Sequence, residues 1–246
     1  LPLGLRAAVS EPMSGTLYGV GVGPGDPELV TLKALRILRE AQVLAWPAPE
    51  EGPSLAREIV ADHLPGGQRE IAIRMPLSPA RFPADDVYDN AAAEISAALS
   101  EGDDVAVICE GDPFFYGSFM YLFGRLAADH PVEVVPGVSS LTACAAALGA
   151  PLSAKNDVLS VVPGPLAADR MSARLAEADA AAVIKVGRHL PKIRGVLDDL
   201  GLTQNARYIE RATMAEQRIV SLDQVPENAA PYFSMILVHK RAEAWK

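Results

Sequence analysis

The residues whose types and spacing bear on chemistry lie in three bends, each richer in backbone than in reactive side chains. The first, Gly19-Val20-Gly21-Val22-Gly23-Pro24-Gly25-Asp26-Pro27, follows a run of β-formers. A dinucleotide loop needs G-x-G-x-x-G; that register puts Pro24 at the third glycine when started at Gly19, and Asp26 there when started at Gly21. A P-loop fails as well, because no Gly-Lys-Ser/Thr follows. What remains is a slender turn at the carboxyl end of a strand, where open α/β sheets bind ligands; a purely structural turn is the alternative. The second bend is Glu110-Gly111-Asp112-Pro113-Phe114-Phe115-Tyr116-Gly117. Here Gly111 permits close backbone approach, Asp112 offers a fixed carboxylate and Pro113 stiffens the exit. The third, Val135-Pro136-Gly137-Val138-Ser139-Ser140, sets a glycine and two hydroxyls at a helix start, whose free N–H groups suit a carboxylate or hydroxyl partner. Ser139 reads also as the helix N-cap. Cys109 and Cys144 have no C-x-x-C spacing, and His63, His130, His189 and His239 stand tens of residues apart. The residues therefore give no reason to expect a protein-held metal, a redox pair or a thiol nucleophile.

The elements that must position these bends alternate between strand and helix. Periodicity predicts strands over residues 16–22, 43–46, 70–75, 104–109 and 132–135. Between them it predicts helices over 27–42, 54–63, 85–100 and 115–128, followed by an alanine-rich helix over 139–148 closed by Gly149 and Pro151. Asp26 is the expected cap of the 27–42 helix, with Pro27 at its first position. This alternation implies a parallel sheet with right-handed crossovers. From about Val158 strand candidates dominate, at 158–162, 181–186, 207–210, 218–222 and 233–239, and the two close together near the end imply a mixed sheet. The expected organisation is an α/β fold of two α/β domains, 15–136 and 137–246, after an extension over 1–14.

Length and composition agree with that division. At 246 residues the chain is too long for a typical single domain, roughly 1.6 domains by length. With 50% hydrophobic and 22% charged residues it can bury a sizeable core. A net charge of −9 disfavours nonspecific binding to nucleic acid or to an anionic membrane. No apolar run approaches the roughly 20 residues that a bilayer needs. Two cysteines without a disulfide framework point to a reducing cytoplasm. The opening LPLGLRAAVSEP is short for a secretory signal, and Met13 offers an alternative start.

Four ordered segments carry a resemblance: Val20 through Ala34, Glu110 through Met120, Pro136-Gly137-Val138-Ser139-Ser140, and Glu210-Arg211-Ala212-Thr213 with Gln217. On these the chain resembles the tetrapyrrole methylases, S-adenosylmethionine-dependent enzymes. Glu110, where the uroporphyrinogen enzymes tend to have glycine, and Pro231 to Met235 are more similar to the precorrin-2 C20-methyltransferase branch. The resemblance implies a ligand cleft between the N-terminal, mainly parallel domain and the C-terminal, mixed one. It also implies a homodimer, with a tetrapyrrole as partner molecule and no nucleic acid or membrane. The implied reaction is methylation of precorrin-2 at C20 to precorrin-3A, releasing S-adenosyl-L-homocysteine, in cobalamin biosynthesis. Implied donor contacts fall on Pro24, Glu110, Gly111, Asp112, Phe115, Tyr116, Ser139, Ser140, Val186, Gly187, Ala212, Tyr232, Phe233, Ser234 and Met235.

Methyl transfer from a sulfonium needs nucleophile, carbon and sulfur in line, so alignment supplies most of the acceleration and no strong base is required. Tyr232 and Glu110 are the candidate catalytic residues. Tyr232 would hydrogen-bond near the reacting edge from the start of the last strand, or else pack as an interface tyrosine; Glu110 would orient donor or ring, or else cap a loop amide. An acceptor with eight carboxylates calls for cations, and Arg74, Arg81, Lys185, Arg188, His189 and Arg211 are the candidates, each of which reads alone as a surface charge. Phe115 and Tyr116 could pack on a flat ring or belong to the core. Other readings are methylation of cobalt-factor II or of another precorrin, and a tetrapyrrole-binding protein without turnover.

Overall fold

The computed structural model describes residues 14–76 and 84–241. The chain divides into two compact units, Leu1–Gly23 with Pro27–Val138 and Pro24–Asp26 with Ser139–Lys246.

In the first unit the strands are β1 (Leu17–Gly21), β2 (Val43–Pro49), β3 (Arg69–Met75), β4 (Val105–Cys109) and β5 (Val132–Val135). They pair in the order β3-β2-β4-β1-β5, every pair parallel. Helices α1 (Leu32–Glu40) and α2 (Leu55–Ile59) cover one face, and α3 (Asp85–Ser100) and α4 (Phe119–Leu126) the other. Alternate residues of β4 serve the two faces: Val105, Val107 and Cys109 pack with Tyr88, Ile95 and Phe119, while Ala106 and Ile108 pack with Ile37, Leu38 and Ile59. A strand buried on both faces reads as a continuous apolar run, which is why VAVIC was legible.

Two expected helices begin later than periodicity suggested. The 27–42 helix is a 3₁₀ turn over Pro27–Leu29 followed by α1, and its cap is Thr31, not Asp26. Thr31 is extended, at ψ 150°, and its Oγ1 accepts from the Ala34 N–H at 3.1 Å. The 115–128 helix starts only at Phe119. Tyr116 takes a left-handed φ of 56°, and a Cβ on Gly117 would lie 2.5 Å from the Pro113 carbonyl, so residues before Phe119 form a tight turn.

The second unit begins its regular structure with α5 (Ser140–Leu148), ended by Gly149 at φ 59°. Its strands are β6 (Leu159–Pro163), β7 (Ala180–Ile184), β8 (Ala206–Glu210), β9 (Arg218–Val220) and β10 (Ser234–His239), in the order β6-β7-β10-β8-β9. The β6–β7 pair is parallel and β10 runs antiparallel to β7 and β8, which is the expected mixed sheet. Helices α6 (Ala168–Glu177) and α7 (Leu190–Asp199), absent from the sequence reading, pack Met171, Leu175, Ile193 and Leu197 on one face; α5 packs Cys144 on the other. Strand β10 starts at Ser234, so Tyr232 and Phe233 precede it. A turn made by Ser234 N–H to Tyr232 O (3.0 Å) and Ser234 Oγ to Pro231 O (2.7 Å) delays the strand.

Candidate functional site

Within the first unit, β1 leads to α1 on one face while its neighbour β4 leads to α4 on the other. Loops that diverge from adjacent parallel strands leave a crevice at their carboxyl ends, the topological switch point where ligands bind. The first two bends of the sequence stand there. Gly23 and Gly111 form a backbone bridge, Gly111 N–H to Gly23 O at 2.8 Å and Gly23 N–H to Gly111 O at 3.3 Å. The third bend joins them through its glycine, because a Cβ on Gly137 would lie 1.9 Å from Gly111 O and 2.8 Å from Gly21 Cα. Asp112 locks the arrangement, its Oδ1 accepting from the Phe114 N–H (2.9 Å) and its Oδ2 from the Gly137 N–H (3.2 Å). Beyond this lock Phe115 and Tyr116 meet edge to face, centroids 5.1 Å apart, and remain 37% and 45% exposed, so they lie outside the core.

Glu110 shows the capping role that had stood beside its catalytic one. Its Oε1 accepts from the Ala56 N–H at 3.3 Å, in the first turn of α2. Burial pushes its carboxyl above the ordinary 4.5. A raised carboxyl pKa means that folding favours the protonated form, so stability from this group is greatest at low pH and is lost as pH rises through the folded pKa. Glu110→Gln keeps an acceptor for Ala56 without the charge. We expect it to melt above the parent at neutral pH, with the difference opening above pH 4.5 and absent below; equal melting profiles from pH 4 to 8 would disprove the assignment.

Cys109 and Cys144 are buried, and each thiol is pushed up to about 12 by that burial, which keeps both protonated at neutral pH. Arg74 donates Nη1 to the carbonyls of Pro49 (3.1 Å) and Gly52 (2.9 Å), which ties it to the loop after β2. Arg81 lies outside the described residues.

In the second unit β7 and β8 both run antiparallel to β10, so the ends of β7 and β8 share one sheet edge with the start of β10. That edge gathers the remaining candidates. Lys185 (φ 55°), Val186, Gly187, Arg188 and His189 follow β7; Arg211 (φ 48°), Ala212 and Thr213 (φ 69°) follow β8. Left-handed backbone costs a non-glycine residue about 1–2 kcal/mol and collects at functional sites, so three such residues on one edge are informative. Val186 and Ala212 are buried; Tyr232 is 63% and Phe233 42% exposed, while Ser234 and Met235 are buried. Gly187 faces Pro231 and Tyr232, a Cβ there reaching within 4.0 Å of Tyr232 Cα. Pro24–Asp26, grouped with this unit, sits on the turn after β8. The Asp26 N–H donates to Thr213 Oγ1 at 3.2 Å, and a Cβ on Gly25 would lie 2.6 Å from Met214 Cγ. Ser139 is the α5 N-cap, its Oγ accepting from the Leu141 N–H at 3.2 Å, with Ser140 opening the helix.

His189 departs from its expected cationic role. Burial, then the charges of Lys192 and Arg188, hold its imidazole below the ordinary 6.5, so it is neutral at pH 7. Arg188 and Arg211 are exposed and Lys185 half-buried. The sequence reading passed over Gly25, Thr213 and Gln217 as site residues. Thr213 and Gln217 were within a quoted motif, and their work is now visible: the Thr213 N–H donates to Gln217 Oε1 at 2.7 Å and closes the turn over residues 213–217.

These strand-end loops can be set beside known proteins. A precorrin-2 C(20)-methyltransferase from Sinorhizobium sp is 43% identical over 232 residues, covering 91% of this chain and 95% of that protein. The cobalamin biosynthesis protein CobIJ of Mycobacterium tuberculosis is 43% identical over 232 residues, and there the chain spans about half of the relative, 46% of its length. A uroporphyrin-III C-methyl transferase of Thermus thermophilus, solved with S-adenyl homocysteine, superposes with a TM-score of 0.68 at 26% identity, covering 92% of each chain. The family model described as Tetrapyrrole (Corrin/Porphyrin) Methylases matches residues 16–226, which takes in all three bends and the turn after β8. Similarity of that extent, on the loops that the fold brings to its strand ends, means that the chain belongs to the tetrapyrrole (corrin/porphyrin) methylase family.

Proposed function

We propose that this chain transfers a methyl group from S-adenosylmethionine to C20 of precorrin-2, yielding precorrin-3A and S-adenosylhomocysteine on the route to cobalamin. The observation that carries the reading is the bridged Gly23–Gly111 pair at the β1/β4 switch point, where glycines let the two loops close backbone to backbone. The Sinorhizobium relative supports the choice of substrate.

The residues present fit such a donor. Gly111, Val186, Gly187 and Ala212 are among the proposed donor contacts, and Gly187 has no side chain to hold a ligand off the main chain. Pro24, Glu110, Asp112, Phe115, Tyr116, Ser139, Ser140 and the Tyr232–Met235 segment complete the proposed donor contacts. When bound, the donor supplies an electrophilic methyl group. The chain's part is alignment and exclusion of water, which needs no covalent intermediate. That agrees with thiols held protonated.

Lys185, Arg188 and Arg211, with Arg74 and Arg81, would meet acceptor carboxylates. Tyr232 would hydrogen-bond at the reacting edge; a Tyr232→Phe enzyme with the parent's turnover would remove it from that role. No helix among the described residues is long and apolar enough to cross a membrane, and the proposed setting is a cytoplasmic homodimer.

The test is mass analysis of the tetrapyrrole after incubation with donor and precorrin-2. Gain of one methyl group, placed at C20 by NMR of the product, is the expected result, whereas binding without any mass change would favour a non-catalytic tetrapyrrole carrier. A parallel incubation with the cobalt-containing substrate addresses the second reading, favoured by a cobalt-precorrin-2 C(20)-methyltransferase of Salmonella typhimurium that is 33% identical and covers 94% of this chain.

A further inference from the structure

Glu210 ends β8 with its side chain buried, 7% exposed. Its register partners are Arg218 on β9 and Ser234 on β10, so one row of side chains crosses three strands on one face of the sheet. Oε2 accepts a 2.5 Å hydrogen bond from the hydroxyl of Tyr208, which is fully buried two residues earlier on that face. Oε1 accepts from Arg218 Nη1 at 3.3 Å. Burial and the adjacent carboxylate push the Tyr208 hydroxyl well above its ordinary pKa, which keeps it a donor.

The next residue is the left-handed Arg211, whose N–H donates to Phe233 O at 2.8 Å. A buried carboxylate is costly unless each oxygen is paired, and apolar residues would close a sheet end at less cost. Strained backbone, in turn, persists only where its surroundings over-determine it. We propose that Glu210 is a positioning residue: clamped by Tyr208 and Arg218, its carboxylate fastens β8 to β9 and so fixes Arg211, whose N–H holds Phe233 O, so that the Arg211–Thr213 turn and the Tyr232–Phe233 segment keep the shape that receives the methyl donor. This rests on the reading of Ala212 and Tyr232 as donor contacts. A second acid of this unit with a buried side chain, Asp157, accepts from His239 Nε2 at 3.2 Å at the opposite end of β10, away from these loops.

The experiment uses the full chain and S-adenosylhomocysteine as the calorimetric probe, with steady-state kinetics alongside. Glu210→Gln preserves volume and an acceptor for Tyr208 but cannot hold the Arg218 charge. It should raise the probe's Kd and the donor KM about tenfold, with acceptor KM and kcat changed less than about threefold. Tyr208→Phe should shift the donor constants the same way by about threefold, and the double variant should fall short of the product of the two effects. Glu210→Asp, one methylene shorter, should not restore binding. A role confined to stability would instead lower the melting temperature and the active fraction and leave donor constants at parental values; that pattern, in Glu210→Gln or, should it not fold, in Tyr208→Phe, overturns the proposal. A parent chain that does not bind the probe overturns the donor reading and this proposal together, whereas a parent and a Glu210→Gln chain that bind equally overturn this proposal alone.

Discussion

A Gly137→Ala chain should lose about 3 kcal/mol or more of stability and bind S-adenosylhomocysteine at least about a hundredfold more weakly than the parent. The added methyl would stand 1.9 Å from Gly111 O and 2.8 Å from Gly21 Cα. Both obstacles are main chain, so no side-chain rotation relieves the clash, and the loop after β5 must retreat from the loop after β4 and from the end of β1. That retreat would also break the bond from the Gly137 N–H to Asp112 and disturb the Gly23–Gly111 bridge. Gly195→Ala is the control. It lies inside α7 with nothing within 4 Å of the new Cβ, and should gain about 0.5–1 kcal/mol. Denaturant midpoints and calorimetric titration of both variants decide the matter. Parental stability and binding in Gly137→Ala would show that the three loops do not pack as described.

The second large effect is expected at Asp112. Its two carboxylate oxygens accept N–H groups from its own loop and from the loop after β5, so one side chain fixes the relative position of both. Asp112→Ala removes both acceptors at once. The cost to stability should be about 1–3 kcal/mol, the range for leaving partly buried donors without partners, and donor-analogue affinity should fall about tenfold or more as the loops loosen. Asp112→Asn retains one carbonyl oxygen but turns an amide toward the other N–H, so its affinity should lie between those of the alanine variant and the parent. If Asp112→Ala binds the analogue as tightly as the parent does, the carboxylate neither shapes the site nor touches the donor.

Particular residues show why some features were legible beforehand and others were not. Strand β4 and the helix α3 could be read directly, because a continuous apolar run and a 3.6-residue pattern are local properties of the chain. The start of α1 was misplaced because Asp26 and Thr31 are both competent caps. A 3₁₀ turn over Pro27–Leu29 separates Asp26 from the α-helix, which Thr31 then caps. The start of α4 was misplaced because aromatic spacing from Phe115 mimics a helical face, while the contacts at Gly117 and the left-handed Tyr116 impose a turn. Helices α6 and α7 were passed over although their amphipathic stripes are strong, with buried Met171 and Leu175 in one and Ile193 and Leu197 in the other.

By itself the amino-acid order determined the α/β class, the succession of strands in both halves and the three glycine bends at strand ends, since each is written in periodicity or composition over a few neighbouring residues. Only the tertiary structure decided that Gly21, Gly111 and Gly137 meet, that Glu110 caps α2, that both oxygens of Asp112 are engaged, and that Glu210 joins β8 to β9. Those outcomes depend on strand order and register, which bring together groups far apart in the chain. Whether a carboxylate is exposed, paired or buried follows from that neighbourhood, and no local pattern encodes it.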